Sequence, residues 1–329
     1  MTKVTIHDEI IVKRNKPKNL QPDDNILFKH EYVKKIPKSY IMYLQAPLII
    51  NDSIFDFKNL SLHFDKTFYA SHNLSKKVKD SAKNLIKSKK GKKYLKKGIW
   101  ITDSKSENFG HWMIDAMCRL VMVLEINKNF PVLLPSRFDI PWITEMLNYA
   151  KIDFIILEKN QKYLVNELIL TSQAHPSGNF NPDIINNLKH IFSLESVNNI
   201  PSKRIWASRE HISRGVGNFD EITTILKKYN FEFIKTEQLS LEEKLKIFSN
   251  AEVIAGTHGS GLINMLFMQE KTKLFEVRDY RDSHKNAMFS LASALNIDYF
   301  YTERSTSLLD HGLIDPNLFE KALNECLKG

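Results

Sequence analysis

The chain is poor in the residues that staple or anchor a protein. It holds two cysteines, Cys118 and Cys326, in 329 residues. They form neither a CxxC pair nor a zinc-ligand spacing, which excludes a disulfide scaffold and fits a reducing compartment. No apolar run approaches the roughly 20 residues that cross a bilayer as a helix. The first residues, MTKVTIHDEIIVKRNK, contain no continuous apolar stretch of the kind a signal peptide needs. A cytoplasmic location is therefore expected, either free or at the inner face of the plasma membrane. No short-period repeat occurs. No Walker lysine follows the one glycine-rich turn, and its G-x-x-G-x-G order reverses the dinucleotide fingerprint. Nor is it a nucleophile elbow around Ser260, because His258 stands where the first glycine would be.

What is present is an ordinary soluble composition, 43% hydrophobic and 26% charged, long enough for two domains. The net charge is +9. Much of the excess is local: Lys76 to Lys97, KKVKDSAKNLIKSKKGKKYLKK, carries eleven lysines. Such a run either forms a solvated helix face or meets an anionic membrane or acidic polymer. It lacks the interleaved aromatics and companion motif of a nucleic-acid binder, so no nucleic-acid partner is expected.

Residues 1–36 read as polar and irregular. From Ser39 to Ala70, YIMYLQAPLII, SIFDF, LSLHF and TFYA predict an antiparallel meander. The lysine-rich run predicts a helix. An alternating pattern follows, with strands at 98–102, 131–134, 154–157 and 167–171 and helices at 110–126, 140–150 and 183–193. A second series has strands at 203–207, 231–234, 253–255, 273–277 and 299–300, and helices at 218–229, 241–249, 284–295 and 315–327. Strands alternating with helices predict parallel βαβ units and an α/β fold. The expected domains are residues 1–195, residues 196–300 and a helical tail at 301–329.

Ala251 to Phe267, AEVIAGTHGSGLINMLF, predicts a strand, a tight glycine turn and a helix start. Such a turn points backbone N–H groups at one spot and favours an anion there, or it serves geometry alone. His258, Gly259, Ser260, Gly261 and Asn264 are candidate phosphate contacts. Asn108-Phe109-Gly110-His111-Trp112-Met113-Ile114-Asp115 follows a strand, where sites in open α/β sheets lie. His111 and Asp115, four apart, share a helix face that Asn108 can cap. The pair suits proton abstraction from a hydroxyl, or else it supports the loop. A third cluster, Trp206-Ala207-Ser208-Arg209 with Arg214 and Asn218, offers forked donors for phosphate or for surface salt bridges. Asn218 is a candidate helix cap. Glu276, at the next strand's end, accepts either a ribose diol or a buried partner.

Four blocks, NFGHWMIDAMCRL, WASREHISRGVGNFDEI, LSLEEKLKIFSNAEVIAGTHGSGLINMLFM and LFEVRD, together resemble glycosyltransferase family 61, whose bacterial members are labelled capsular polysaccharide biosynthesis proteins. The resemblance spans roughly residues 98–280. Ser260 stands where the family usually has alanine, and the arginine block is sparser than usual. The resemblance implies a GT-B fold of two Rossmann-like domains facing a central cleft, and an inverting transfer without a metal or other cofactor. The donor is a nucleotide sugar, expected to be UDP-linked. It is assigned to the rear half through Arg209, Arg214, Asn218, His258, Gly259, Ser260, Gly261, Asn264 and Glu276. The acceptor, a capsular or lipopolysaccharide glycan or its lipid-linked form, is assigned to the front half near Asn108, Gly110 and Trp112. Asp115 or His111 is the expected base, with Asp115 preferred and His111 then orienting it or contacting substrate. A non-catalytic nucleotide- or glycan-binding protein using the same cleft is the rival expectation.

Overall fold

The computed structural model describes residues 2–59, 61–63, 74–89, 91–126, 129–192, 200–208, 216–305 and 312–328, with backbone alone at 74–77. It divides into two compact units, residues 1–10 with 37–176 and residues 11–36 with 177–329. The described residues form a mixed α/β chain, as the alternating pattern predicts.

The first unit is built on a nine-stranded mixed sheet. Its strands are β1 (Thr2–His7), β2 (Ser39–Gln45), β3 (Leu48–Ile50), β4 (Ser53–Asp56), β5 (Ser61–Leu62), β6 (Lys92–Trp100), β7 (Val132–Pro135), β8 (Phe154–Leu157) and β9 (Lys162–Thr171). Four run parallel in the order β8-β7-β6-β9. Antiparallel strands extend the far edge. The meander exists only from β3 to β5. β2 does not join it, because the ten-residue β9 pairs with β3 through Tyr163–Leu164 and with β2 through Glu167–Thr171. Residues 67–70, the last predicted run of the meander, lie outside the described residues. Apolar side chains from β2, β6, β7 and β9, among them Leu44, Trp100, Leu133 and Leu168, form one core. Burial on this scale, at about 25 cal/mol per Å², is what holds the sheet against chain entropy.

The lysine-rich run is a helix only in its first part, α1 (Leu74–Lys87). Lys92 to Lys97 belong to β6, which pairs in parallel register from Lys92↔Lys162 to Trp100↔Leu170. Pairing with β9 outweighs the low β-propensity of lysine, and the lysine side chains there reach water. Residues 1–36 are likewise not irregular: besides β1, Ile10–Lys13 pairs with Val33–Ile36.

The second unit holds a five-stranded parallel sheet in the order β11-β10-β12-β13-β14, from β10 (Lys203–Ala207), β11 (Phe231–Ile234), β12 (Ala251–Thr257), β13 (Lys273–Asp279) and β14 (Asp298–Arg304). Helices α4 (Phe219–Lys228), α5 (Leu241–Phe248), α6 (Ala287–Ala294) and α7 (Pro316–Lys328) accompany it; earlier in the chain come α2 (Pro141–Tyr149) and α3 (Pro182–Ile191). Ser240 caps α5 in a reciprocal capping box with Glu243, so two of its orphan amide donors are satisfied. Phe319, Leu323 and Cys326 of α7 pack into the same core as Trp206, Val253, Ala255 and Phe275. Residues 11–36 also belong to this unit: Phe28 is wholly buried against Phe289, Tyr299 and Tyr301, and Asn19 bonds the Tyr301 backbone in both directions.

Candidate active site

In the first unit the motif after β6 opens a helical run over 109–124. Asn108 is extended (φ −85°, ψ 130°), and its side-chain oxygen accepts from the Gly110 N–H at 2.9 Å and the His111 N–H at 3.4 Å. The cap read from sequence is therefore present. Behind it, Trp112–Met117 is a π-helix, and Cys118–Leu124 resumes the α pitch. Single π turns inside helices recur at functional sites. Here the turn carries Asp115, whose Oδ2 lies 2.7 Å from His111 Nδ1. The imidazole has 27% of its surface exposed, while the carboxylate is largely buried with 10%.

Three contacts hold the π turn in place. His175 Nε2 donates to the Ile114 carbonyl at 2.8 Å, one residue before Asp115. Burial holds the His175 imidazole below its ordinary range, opposed by the Asp115 charge, so it is neutral and one ring nitrogen donates. Arg119 donates to the Ile101 carbonyl at 3.0 Å and to Asp103 at 3.1 Å, both just beyond β6. Trp112 is wholly buried, edge-on to Trp142 of α2 at 6.0 Å, and so braces the turn rather than offering its ring to an acceptor. Burial, with the Asp115 charge adding to it, pushes the Cys118 thiol well up, so it is no nucleophile.

In the second unit β12 ends at Thr257, and Ser260–Phe267 follows as a 3₁₀ helix rather than an α-helix. Leu262 to Phe267 are all buried, so no polar face selects the α pitch. Asn264 Nδ2 donates to the Gly261 carbonyl three residues back. Of the three glycines only Gly259 takes a positive φ (149°), where a side chain is strained. Gly256 and Gly261 serve packing against the neighbouring strand. A Cβ on Gly256 would sit 3.1 Å from the Ala207 carbonyl, and one on Gly261 3.2 Å from the Ala207 Cβ.

His258 Nδ1 lies 2.5 Å from Glu276 Oε1 on β13. Glu276 is wholly buried, and its other oxygen accepts from the Tyr299 hydroxyl at 2.5 Å, with Arg278 at 3.8 Å. Burial by itself would raise this carboxyl; the charge and hydrogen bond of His258, with Arg278 behind, outweigh it and lower it. Both oxygens are thus committed inside, and Glu276 orients His258 instead of meeting a ribose. Asn218 also has another task than the one read for it. Its side chain makes no cap to α4 and instead bonds the Ile314 backbone, donating at 2.8 Å and accepting at 3.0 Å. Arg209 and Arg214 lie outside the described residues.

Sequence reasoning names Ser208 within the arginine cluster without giving it a role, and passes over Thr257. β10 and β12 pair in parallel through Trp206↔Ala255, and continuing that register sets Ser208 opposite Thr257 at the carboxyl edge. Both hydroxyls are buried, and among the described residues neither has a hydrogen-bond partner, nor has the amide oxygen of Asn264. A buried polar atom left unpaired costs about 1–3 kcal/mol. Ordered water or a bound group ordinarily meets such atoms, and three of them gather at this one glycine turn. The sequence signal was available: a hydroxyl residue closes each of two neighbouring strands, where ligands sit in open α/β sheets.

No curated protein matches the chain. The model of the family described as Glycosyltransferase 61 matches residues 109–275, just over half of it. The match opens at the residue that follows the Asn108 cap and closes beside Glu276, so it takes in both histidine–carboxylate pairs but for that last carboxylate, and the chain belongs to glycosyltransferase family 61.

Proposed function

We infer that the chain is a glycosyltransferase, the activity its family implies. We propose that the chain moves a sugar from a nucleoside-diphosphate donor, UDP-linked, to a hydroxyl of a growing capsular or lipopolysaccharide glycan, free or lipid-linked, with inversion and without a metal. The two units act as the lobes of a GT-B enzyme in the cytoplasm, the second taking the donor and the first the acceptor. Asp115 accepts the proton of the acceptor hydroxyl, with His111 holding its carboxylate. The acceptor oxygen forms a bond to the anomeric carbon from the face opposite the diphosphate. The anomeric C–O bond breaks, and the nucleoside diphosphate leaves with the electron pair. Backbone amides after Gly259, His258, and Arg209 and Arg214 carry its charge. An α-linked donor then yields a β-linkage.

The observation that carries the donor assignment is the set of buried oxygens at Ser208, Thr257 and Asn264 that no described residue pairs. Thr257→Val removes one of them while keeping the shape. The free protein is expected to melt at the same or a higher temperature. Calorimetry with UDP is expected to show affinity about tenfold weaker, the value of one hydrogen bond of about 1.4 kcal/mol. Unchanged UDP affinity in Thr257→Val, Ser208→Ala and Arg214→Ala would remove the donor site from this edge. Tight UDP binding with no hydrolysis of any UDP-sugar would instead support the binding-protein reading.

A further inference from the structure

Helix α1 docks onto its unit through polar side chains. Its one fully buried described side chain is Ser81, whose hydroxyl lies 2.9 Å from that of Ser53. Asn84 stands one turn on. It donates to Ser53 at 2.9 Å and accepts from Asn51 at 2.9 Å. The apolar residues lie beside that docked face and stay exposed. Val78 is 49% exposed, Leu85 37% and Ile86 83%, and exposed Ala82 lies between them. Spaced i, i+4, i+7 and i+8, these four form one stripe, about 12 Å long at 1.5 Å per residue. Beside the stripe, Lys79, Lys83 and Lys87 recur at i, i+4 and i+8, all exposed. Further along the same unit, Lys92, Lys93, Lys96 and Lys97 of β6 are exposed around Tyr94, which is 70% exposed.

A helix that only needed solvation would turn Leu85 and Ile86 inward, since hydrophobic burial favours it by about 1.5–3 kcal/mol per side chain. This one is held by serine and asparagine hydrogen bonds with its apolar stripe in water and a lysine band alongside. We propose that α1 is an interfacial anchor that lies flat on an anionic phospholipid surface. Val78, Ala82, Leu85 and Ile86 enter the headgroup–acyl boundary, and the lysines meet the lipid phosphates. That pairing of an apolar stripe with a cationic flank fits a surface that is anionic outside and apolar beneath. An acidic polymer would satisfy the lysines and leave Ile86 in water. A second copy meeting the same face across a two-fold would set lysines against lysines.

The test is co-sedimentation of the full chain with vesicles of phosphatidylcholine alone and of phosphatidylcholine with phosphatidylglycerol in equal parts. Binding is expected to the second and not the first, and to weaken as salt rises. Ile86→Asp, at an exposed position, is expected to keep the wild-type melting temperature and lower the vesicle affinity at least about tenfold. Lys79→Glu with Lys83→Glu and Lys87→Glu is expected to lower it about a hundredfold or more, at about 1 kcal/mol per lysine. No binding to anionic vesicles overturns the proposal. So does binding that Ile86→Asp leaves intact, which would mark a purely electrostatic contact with a polyanion. Light scattering that shows a wild-type dimer broken by Ile86→Asp also overturns it and gives the face to a second copy.

Discussion

Each unit contains a histidine whose Nδ1 faces a carboxylate, and the two pairs are built in opposite ways. In the first unit, His111 and Asp115 lie four apart on one helical run, the imidazole part-exposed and the carboxylate largely buried but not sealed off. In the second, His258 sits in a turn, and Glu276 comes from the adjacent strand, wholly buried between the imidazole, the Tyr299 hydroxyl and Arg278. A carboxylate that is not sealed off can meet a substrate proton. A buried one with both oxygens taken can only hold its partner. Under the proposed function, a histidine and a carboxylate serve chemistry in the first pair and orientation in the second, and the difference lies in what surrounds the carboxylate.

The sharpest way to break this contrast is Asp115→Asn. The amide keeps an oxygen near His111 and loses the basic carboxylate, so turnover is expected to fall about 10²- to 10⁴-fold while UDP binding and melting temperature stay near wild type. A variant that turns over normally would remove Asp115 as the base, and one that unfolds would make the first pair structural like the second.

Glu276→Gln is expected to do the converse. It strips the charge from a buried set containing Arg278 and costs about 3–5 kcal/mol of stability in urea unfolding at neutral pH. The sign with pH follows from the lowered Glu276 carboxyl. Its contribution is fully present above the unfolded-state glutamate value of about 4.3 and is lost as pH falls through the lower folded value. The gap between wild type and variant is therefore expected to narrow in acid. A gap that widens there would mean that Glu276 is not held ionised.

The smallest effect concerns the support of the first pair. His175→Leu leaves the Ile114 carbonyl unpaired in the interior, costing about 1–3 kcal/mol. It is expected to lower kcat without changing the KM for the donor, and His175→Gln, which can still donate, is expected to recover part of that loss. A kcat that tracks stability alone across the two variants would reduce His175 to a packing residue.

Legibility in the sequence followed local periodicity. Phe154–Leu157, Lys203–Ala207 and Phe231–Ile234 were read with the bounds they have in the structure, because each is a short β-prone run closed by turn residues. The Asn108 cap and the His111–Asp115 pair were equally local, set by spacings of three and four. Where neighbours far along the chain decide, the pattern misled. Lys92 to Lys97 look helical by composition and are drawn into a strand by β9. Residues 11–36 look featureless, yet Phe28 completes an aromatic cluster formed by Phe289, Tyr299 and Tyr301, more than 250 positions away. The glycine turn was visible as a turn, but two of its glycines answer to Ala207 on another strand.

From the order of its residues alone the chain determined its alternation of strand and helix, its glycine turn, its capped histidine–aspartate helix and its family, since these rest on contacts within a few positions. Only the tertiary structure decided that Glu276 is sealed behind His258, that Ser208 and Thr257 end side by side with hydroxyls no described residue pairs, and that α1 leaves its apolar stripe exposed. Burial and strand register are properties of residues brought together from distant positions, and no local spacing encodes them.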